Sequence, residues 1–512
     1  MHAENRTRAT RREWIGLAVI ALPCMLYSMD LTVLDLAVPR LTEDLRPSSA
    51  ELLWILDIYG FLVAGSLITM GTLGDRIGRR RLLLIGAATF GVASVLAAFS
   101  TSAPMLIATR ALLGVAGATL APSTLSLIRS MFLDPAQRTV AIGVWVTSYS
   151  VGAAIGPLLG GVVLEYFWWG AVFLLGVPVM VLLLVLGPLL LPEYRDPKAG
   201  RLDLTSAAQS LVAVLLVIYG LKRVAEHGPG WLAVAAIAGG FAVGAAFVRR
   251  QRALADPLID LDLFRVPAFS VSLVTYAMGT FVAFAIYVFL AQYLQLVLGL
   301  SPLRAGLATL PSMLAFIAGS AAVPRIARRV RPAFAMAGGL VVSAAGFTVL
   351  AGAETLGLPG LIAGSVIYSV GLTPVVILAT DLIVGSAPVE RAGAASAISE
   401  TASELGGALG IALLGSLATA VYRGMMATAM PPGVPADALH AARGTLGGAL
   451  EAARALEPQE GVQLVAAARA AFTQAFEVTA LVCAGLAFVA AAGTVVVLRE
   501  AGTGREAAKA AA

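Results

Sequence analysis

Long apolar runs separated by short polar breaks follow one another from one end of the chain to the other. Fourteen runs approach the roughly 20 residues that a helix needs to cross a bilayer. They lie at approximately 15–38, 52–72, 81–100, 104–128, 139–164, 168–191, 205–221, 231–248, 269–296, 303–323, 333–352, 358–384, 393–421 and 474–498. The first run follows Arg6, Arg8, Arg11 and Arg12, as a secretory leader would. It extends to about Val38, too long for the core of a cleaved signal, and reads as the first span.

Placing the breaks alternately on two sides tests the count. One side collects 25 of the 35 lysines and arginines and the other 9, while Arg110 falls inside a span. A topology shifted by one span would invert this bias. By the positive-inside rule the basic side is cytoplasmic, so both termini are expected there.

Composition agrees. Hydrophobic residues make up 59% of the chain and charged residues 13%, against about 25% charged in soluble domains. Such a chain has too much apolar surface for a soluble fold. The net charge of +5 is placed by topology, so it gives no reason to expect nucleic acid. Cys24 and Cys483 both lie in apolar spans, and three histidines do not suggest a zinc site. No nucleophile–base pair or nucleotide-binding loop emerges. The expectation is a non-enzyme without cofactors, driven by an ion gradient and monomeric in the bilayer.

The chain also looks duplicated. Pro324–Arg331, PRIARRVR, is a degraded counterpart of the basic stretch Gly71–Arg81, GTLGDRIGRRR. The expected organisation is a tail at 1–14, a six-span bundle at 15–191, and two inserted spans with flanking linkers at 192–265. A second six-span bundle follows at 266–498, with a long outer loop at 422–474, and a tail at 499–512 closes the chain. Within the loop, Ala436–Leu456 and Gln459–Phe472 read as two short amphipathic helices forming a surface cap.

Ionisable residues inside a membrane are costly, so each is a functional candidate. Asp30 sits in MDLTVLDLAVP, with Asp35 nearer the surface; Asp57 sits in WILDIYGF and Arg110 in ATRALLGVAGA. Asp30, Asp57 and Arg110 fall at similar depth in the first half and are expected to pair, because an unpaired buried charge is expensive. The bland alternative is an ion pair that only fixes helix packing. In the thirteenth span, GAASAISETASELGGALGIALLG, Glu400 and Glu404 are four residues apart on one helix face. Two carboxylates this close in low dielectric titrate as one unit, which suits proton uptake and release. Asp381, near the end of the twelfth span, is expected to be a solvated end residue.

The glycines carry a packing signal. Gly71, Gly74 and Gly78 allow close approach around a tight turn, and Gly152, Gly156 and Pro157 in GAAIGPLLGG combine a small-residue face with a bend. The stretch Gly71–Arg81 closely resembles the loop signature between the second and third spans of the major facilitator superfamily. GAAIGPLLGG resembles the signature that marks antiporters within it. With Arg110–Ala118, MDLTVLDLAVP, WILDIYGF and ISETASELGG, the likeness runs from roughly Glu13 to Leu498. It is to the fourteen-span drug/proton antiporters of the QacA type.

The resemblance implies an all-α major facilitator fold of two six-helix bundles plus two inserted helices. It implies a proton-coupled exporter of lipophilic, cationic drugs or antiseptics in a bacterial inner membrane. Asp30, Asp57, Glu400, Glu404 and Arg110 would then carry proton coupling and substrate recognition. Gly71, Asp75, Arg76, Gly78, Arg79, Gly152, Gly156 and Pro157 would form the conformational switch, with Asp75 near the start of the thirteenth span around Gly393. Two other readings remain open at this point: a dedicated exporter of one endogenous antibiotic or lipid, and a receptor or scaffold that has lost transport.

Overall fold

The structure, a computed structural model, describes residues 8–47, 49–195, 203–227, 230–254, 257–428 and 442–510. Among the described residues thirteen helices are long and apolar enough to cross a membrane. The helix Pro135–Tyr166 is 32 residues long, with no charged side chain between Thr139 and Leu164, and completes the fourteen. In chain order they are α1 (Arg11–Leu45), α2 (Ser49–Ile77), α3 (Arg79–Ala98), α4 (Ala103–Met131), α5 (Pro135–Tyr166), α6 (Ala171–Leu190) and α7 (Leu204–His227). Then follow α8 (Trp231–Ala253), α9 (Pro267–Val297), α10 (Pro302–Arg329), α11 (Pro332–Leu350), α12 (Ala353–Ser386), α13 (Ala392–Thr428) and α14 (Pro458–Ala510).

Local chemistry sets several boundaries. Ser102, Asp134 and Ser301 each accept a backbone N–H three residues on, at the starts of α4, α5 and α10. Proline follows inside the first turn in all three, where its missing donor costs nothing. Gly357, at φ +57, breaks α12 near the end away from the basic loops.

Two apolar cores result. One is built mainly from α1 to α6 and the other from α9 to α14. The first does not stop at the half boundary: Val323, Ile377, Ile383, Ala395 and Ile398 from the second half are buried in it. All five lie at the ends of α10, α12 and α13 nearest the arginine-rich loops, so the halves are packed shut at the basic end. The inserted α7 and α8 pack on each other, and α7 lies against α2 and α13. Arg250 donates to both oxygens of Asp203 (2.7 and 3.1 Å), and with Ser206 holds that carboxyl well below the usual carboxylate range.

Three expectations need correction. The tight turn in Gly71–Arg81 is shorter than the span limits of 72 and 81 imply: α2 runs to Ile77, α3 begins at Arg79, and Gly78 alone joins them. In the outer loop a helix spans Leu446–Ala453, but Gln459–Phe472 is no separate element. It is the first part of α14, which continues unbroken through the last span. The backbone of 499–510, placed in the tail at 499–512, continues that helix. Residues 1–7 and 429–441 lie outside the described residues.

Candidate functional site

The basic end is latched by buried polar contacts across the seam. Asp75 sits two residues before the end of α2 and is buried against the start of α13. Its Oδ1 and Oδ2 accept from the backbone N–H groups of Gly393 (3.1 Å) and Ala394 (3.0 Å). First-turn N–H groups lack intrahelical partners and carry the positive end of the dipole, so a carboxylate suits them. Arg79, wholly buried, donates to the same carboxylate (3.1 Å), to the Ser126 carbonyl (3.2 Å) and to the Val389 carbonyl. Its guanidinium lies over the Tyr194 ring at 4.9 Å, and the Tyr194 hydroxyl donates to Glu390 (2.8 Å).

The backbones meet because glycines let them. A Cβ on Gly71 would fall 2.4 Å from the Gly393 carbonyl oxygen, and one on Gly393 would fall 2.5 Å from that of Gly71. Gly78 has φ +110, a conformation glycine adopts freely and other residues rarely do. Arg76 occupies the last turn of α2. On α5, a Cβ on Gly152 would fall 2.0 Å from the Met25 carbonyl oxygen of α1, so α1 and α5 pack backbone to backbone there. Gly156 is buried on the same helix; the side chain of Pro157 lies outside the described set.

A second latch joins α5 to α12. Arg138 Nε lies 2.6 Å from Asp381 Oδ1, and the Thr139 hydroxyl donates to Oδ2 (2.8 Å). The Asp381 side chain is only 13% exposed, so it is a cross-seam partner and not a solvated end residue. Sequence offered one signal, a basic start of span 5 and an acidic end of span 12 on the same side. Only packing shows that they meet.

Deeper, Arg110 Nη1 lies 2.8 Å from Asp30 Oδ2, with side chains 2% and 14% exposed. Arg110 Nε donates to the Ile55 carbonyl (3.2 Å), and the guanidinium lies 4.7 Å over the Tyr59 ring. The described carboxylate partner of Arg110 is Asp30, and Asp57 of the expected three-charge cluster points in another direction. Asp57 and Tyr59 are two residues apart, about 200° around a helix, so when Tyr59 faces Arg110 the acid faces away. Asp57 instead lines a cavity of about 310 Å³ with Phe61 of α2, Ile218 of α7, and Phe284 and Glu404 from α9 and α13. Two candidate carboxylates from opposite halves therefore share one space, walled partly by an inserted helix.

Glu400, one turn nearer the basic end, has a buried Oε1 without a hydrogen-bond partner. Tyr27, Tyr149 and Tyr276 lie within electrostatic reach of it. Tyr27 and Tyr149 belong to a row of rings missed in the sequence. Trp145 to Tyr149 is 4.8 Å, Tyr149 to Tyr27 is 5.7 Å, and Tyr27 to Tyr59 is 6.0 Å, ending at Arg110. The available signal was the spacing: Trp145 and Tyr149 are four apart, and Tyr27 is one turn before Asp30. No group of three or more metal-binding side chains occurs among the described residues.

A sequence profile described as Major Facilitator Superfamily matches residues 20–411. The chain belongs to the major facilitator superfamily. It is 45% identical over 489 residues to the multidrug efflux pump LfrA of Mycolicibacterium smegmatis, covering 95% of this chain and 97% of that protein. It is 37% identical over 471 residues to the methyl viologen resistance protein SmvA of Salmonella typhimurium, with 90% and 93% coverage. Among solved structures, the human organic anion transporter MFSD10 superposes with a TM-score of 0.57 at 17% identity, covering 93% and 99%. That likeness speaks to fold alone. As a major facilitator protein the chain is multi-pass and helical, two six-helix bundles with two inserted helices, and the latches sit where those bundles meet.

Proposed function

We propose that this protein is a proton-coupled antiporter that exports lipophilic, cationic compounds across a bacterial inner membrane, with the basic end and both termini in the cytoplasm. One observation carries the reading: Asp57 and Glu404, from opposite halves, line one cavity at the seam. A carboxylate binds either a proton or a cation, and exclusion at one group makes each ligand weaken the other by the same factor. The apolar and aromatic walls, Phe61, Ile218 and Phe284, suit a lipophilic body, and ring faces attract cations. Glu400, facing the tyrosines one turn away, supplies a second titratable group on the cytoplasmic side.

The two latches close the cytoplasmic end in this state, so a cycle must break Asp75–Gly393 and Arg138–Asp381 to admit substrate. The Arg110–Asp30 pair holds the first bundle together and links protonation of Asp30 to helix packing. Relatives named for multidrug efflux and for resistance to a toxic compound agree with this role. The test is efflux of a fluorescent lipophilic cation from proteoliposomes under an imposed pH gradient. Uphill movement that collapses with a protonophore is expected; movement indifferent to the gradient overturns proton coupling.

A further inference from the structure

On the flank of the seam away from α7, a crevice of about 520 Å³ lies between α5 and α10, inside the usual range of roughly 300–1,000 Å³ for small-molecule sites. Its lining follows helical spacing on both sides: Val140, Gly143, Val144 and Thr147 from α5, and residues from Ile317 to Arg328 on α10. A hydrogen bond between Thr147 and Ser320 (2.6 Å) bridges the two walls in the deep part. The walls around it are apolar: Val140, Val144 and Ala321 lie on the mouth side and Ile317 one turn deeper on α10. At the mouth stand Arg325 and Arg328, both exposed. Arg325 donates to the Ala321 carbonyl (3.0 Å), and neither arginine meets a carboxylate among the described residues. The nearby Asp381 is already held by Arg138 and Thr139.

Depth matches one lipid leaflet. Along α10 the lining runs eleven residues, from Arg328 at the mouth to Ile317, about 16 Å along the helix, and half of a bilayer core is about 15 Å. A basic mouth over an apolar slot of that depth is the shape of an anionic phospholipid: phosphate outside, acyl chain inside. Topology alone accounts for arginines at this membrane surface, but it does not place them at the mouth of a slot. Basic pockets between transmembrane helices on this side recognise anionic head groups by the same physics.

We propose that the α5–α10 crevice is a binding site for an anionic phospholipid of the leaflet on the basic side. Its phosphate is held by Arg325 and Arg328, and one acyl chain lies along Val140, Val144, Ile317 and Ala321. The lipid touches both halves, so it stabilises the state in which the basic end is closed, and the anionic lipid content of the membrane sets how readily the latches open.

Lipid retention by the purified full-length protein tests this without requiring transport, so its outcome is separable from the export reading. Native mass spectrometry would compare added phosphatidylglycerol, phosphatidylcholine and inorganic phosphate. The wild type is expected to retain one phosphatidylglycerol in preference to phosphatidylcholine. Arg325→Gln with Arg328→Gln should bind it roughly thirtyfold more weakly, from two surface arginines. Val144→Trp, which fills the slot at an exposed position and leaves both arginines, should also lower retention. The control pair Arg249→Gln with Arg252→Gln, at the same membrane surface on α8, should bind as wild type. Equal retention by the double α10 variant overturns the site. Displacement by inorganic phosphate, or indifference to Val144→Trp, overturns the lipid in favour of a free anion.

Discussion

Arg110 and Asp75 are both buried in ion pairs, but their consequences differ. Arg110 is compensated by Asp30, the Ile55 carbonyl and the Tyr59 ring inside one bundle. Removing it strands a buried carboxylate, which costs about 3–5 kcal/mol. Arg110→Ala should therefore lower the unfolding temperature in detergent and abolish export, and Arg110→Lys should recover folding better than export. A variant as stable as wild type would show that Asp30 is solvated when alone. Asp75 reaches across the seam to the α13 N-terminus, so its loss biases conformation more than folding. Asp75→Asn should weaken that contact by about 1–2 kcal/mol, opening the basic end roughly tenfold more often. Spin-label distances between the basic ends of α2 and α13 would report this shift; an unchanged distribution would remove Asp75 from the latch. The Asp30–Arg110 contact was legible because opposite charges at one depth inside hydrocarbon must meet. Asp57 was misplaced because depth alone does not say which way a side chain points around its helix.

At the scale of elements, small residues decide where helices touch. Gly71 faces α13 across the seam, whereas Gly410 of α13 faces α9 within one half, where a Cβ would fall 2.0 Å from the Phe281 carbonyl oxygen. Adding a side chain overpacks either contact by about 1–3 kcal/mol, with different outcomes. Gly71→Val should leave a folded protein that cannot close its basic end, so export is lost at normal expression. Gly410→Val should lower stability of the second half itself. Thermal unfolding separates the two, and an unstable Gly71→Val would contradict the division. Arg138 and Asp381 offer a further check. Each charge reversal alone should impair closure, and Arg138→Asp combined with Asp381→Arg should restore part of it, with coupling of about 1–3 kcal/mol. No restoration would show that the pair is incidental. The spans were legible because a bilayer demands their length and apolarity. The continuity of α14 was not, because its first third carries Glu460 and Arg469 and reads as amphipathic, yet a helix does not stop at the surface without a breaker. The basic connection was drawn too long for a related reason: its charges end the span but do not end the helix.

For the whole molecule, the account is a seam closed at one end and lined with carboxylates further in. The first apolar core takes in residues from both halves only near the basic ends, so that end opens by separating packed surface as well as polar latches. The inserted α7 lies against α2 and α13 and contributes to the Asp57–Glu404 cavity, a place the duplication pattern could not reveal, because an insert has no counterpart to be matched with. The central claim is that proton and cation compete at Glu404. Glu404→Gln keeps the size of the side chain and imitates its protonated form but cannot titrate. The direct measurement is uphill export of a monovalent lipophilic cation by purified, reconstituted Glu404→Gln protein under an imposed pH gradient, beside wild type at equal protein content. Competition predicts that the variant only equilibrates the cation across the membrane, while wild type accumulates it against its gradient. Uphill export by Glu404→Gln at the wild-type rate would contradict the account.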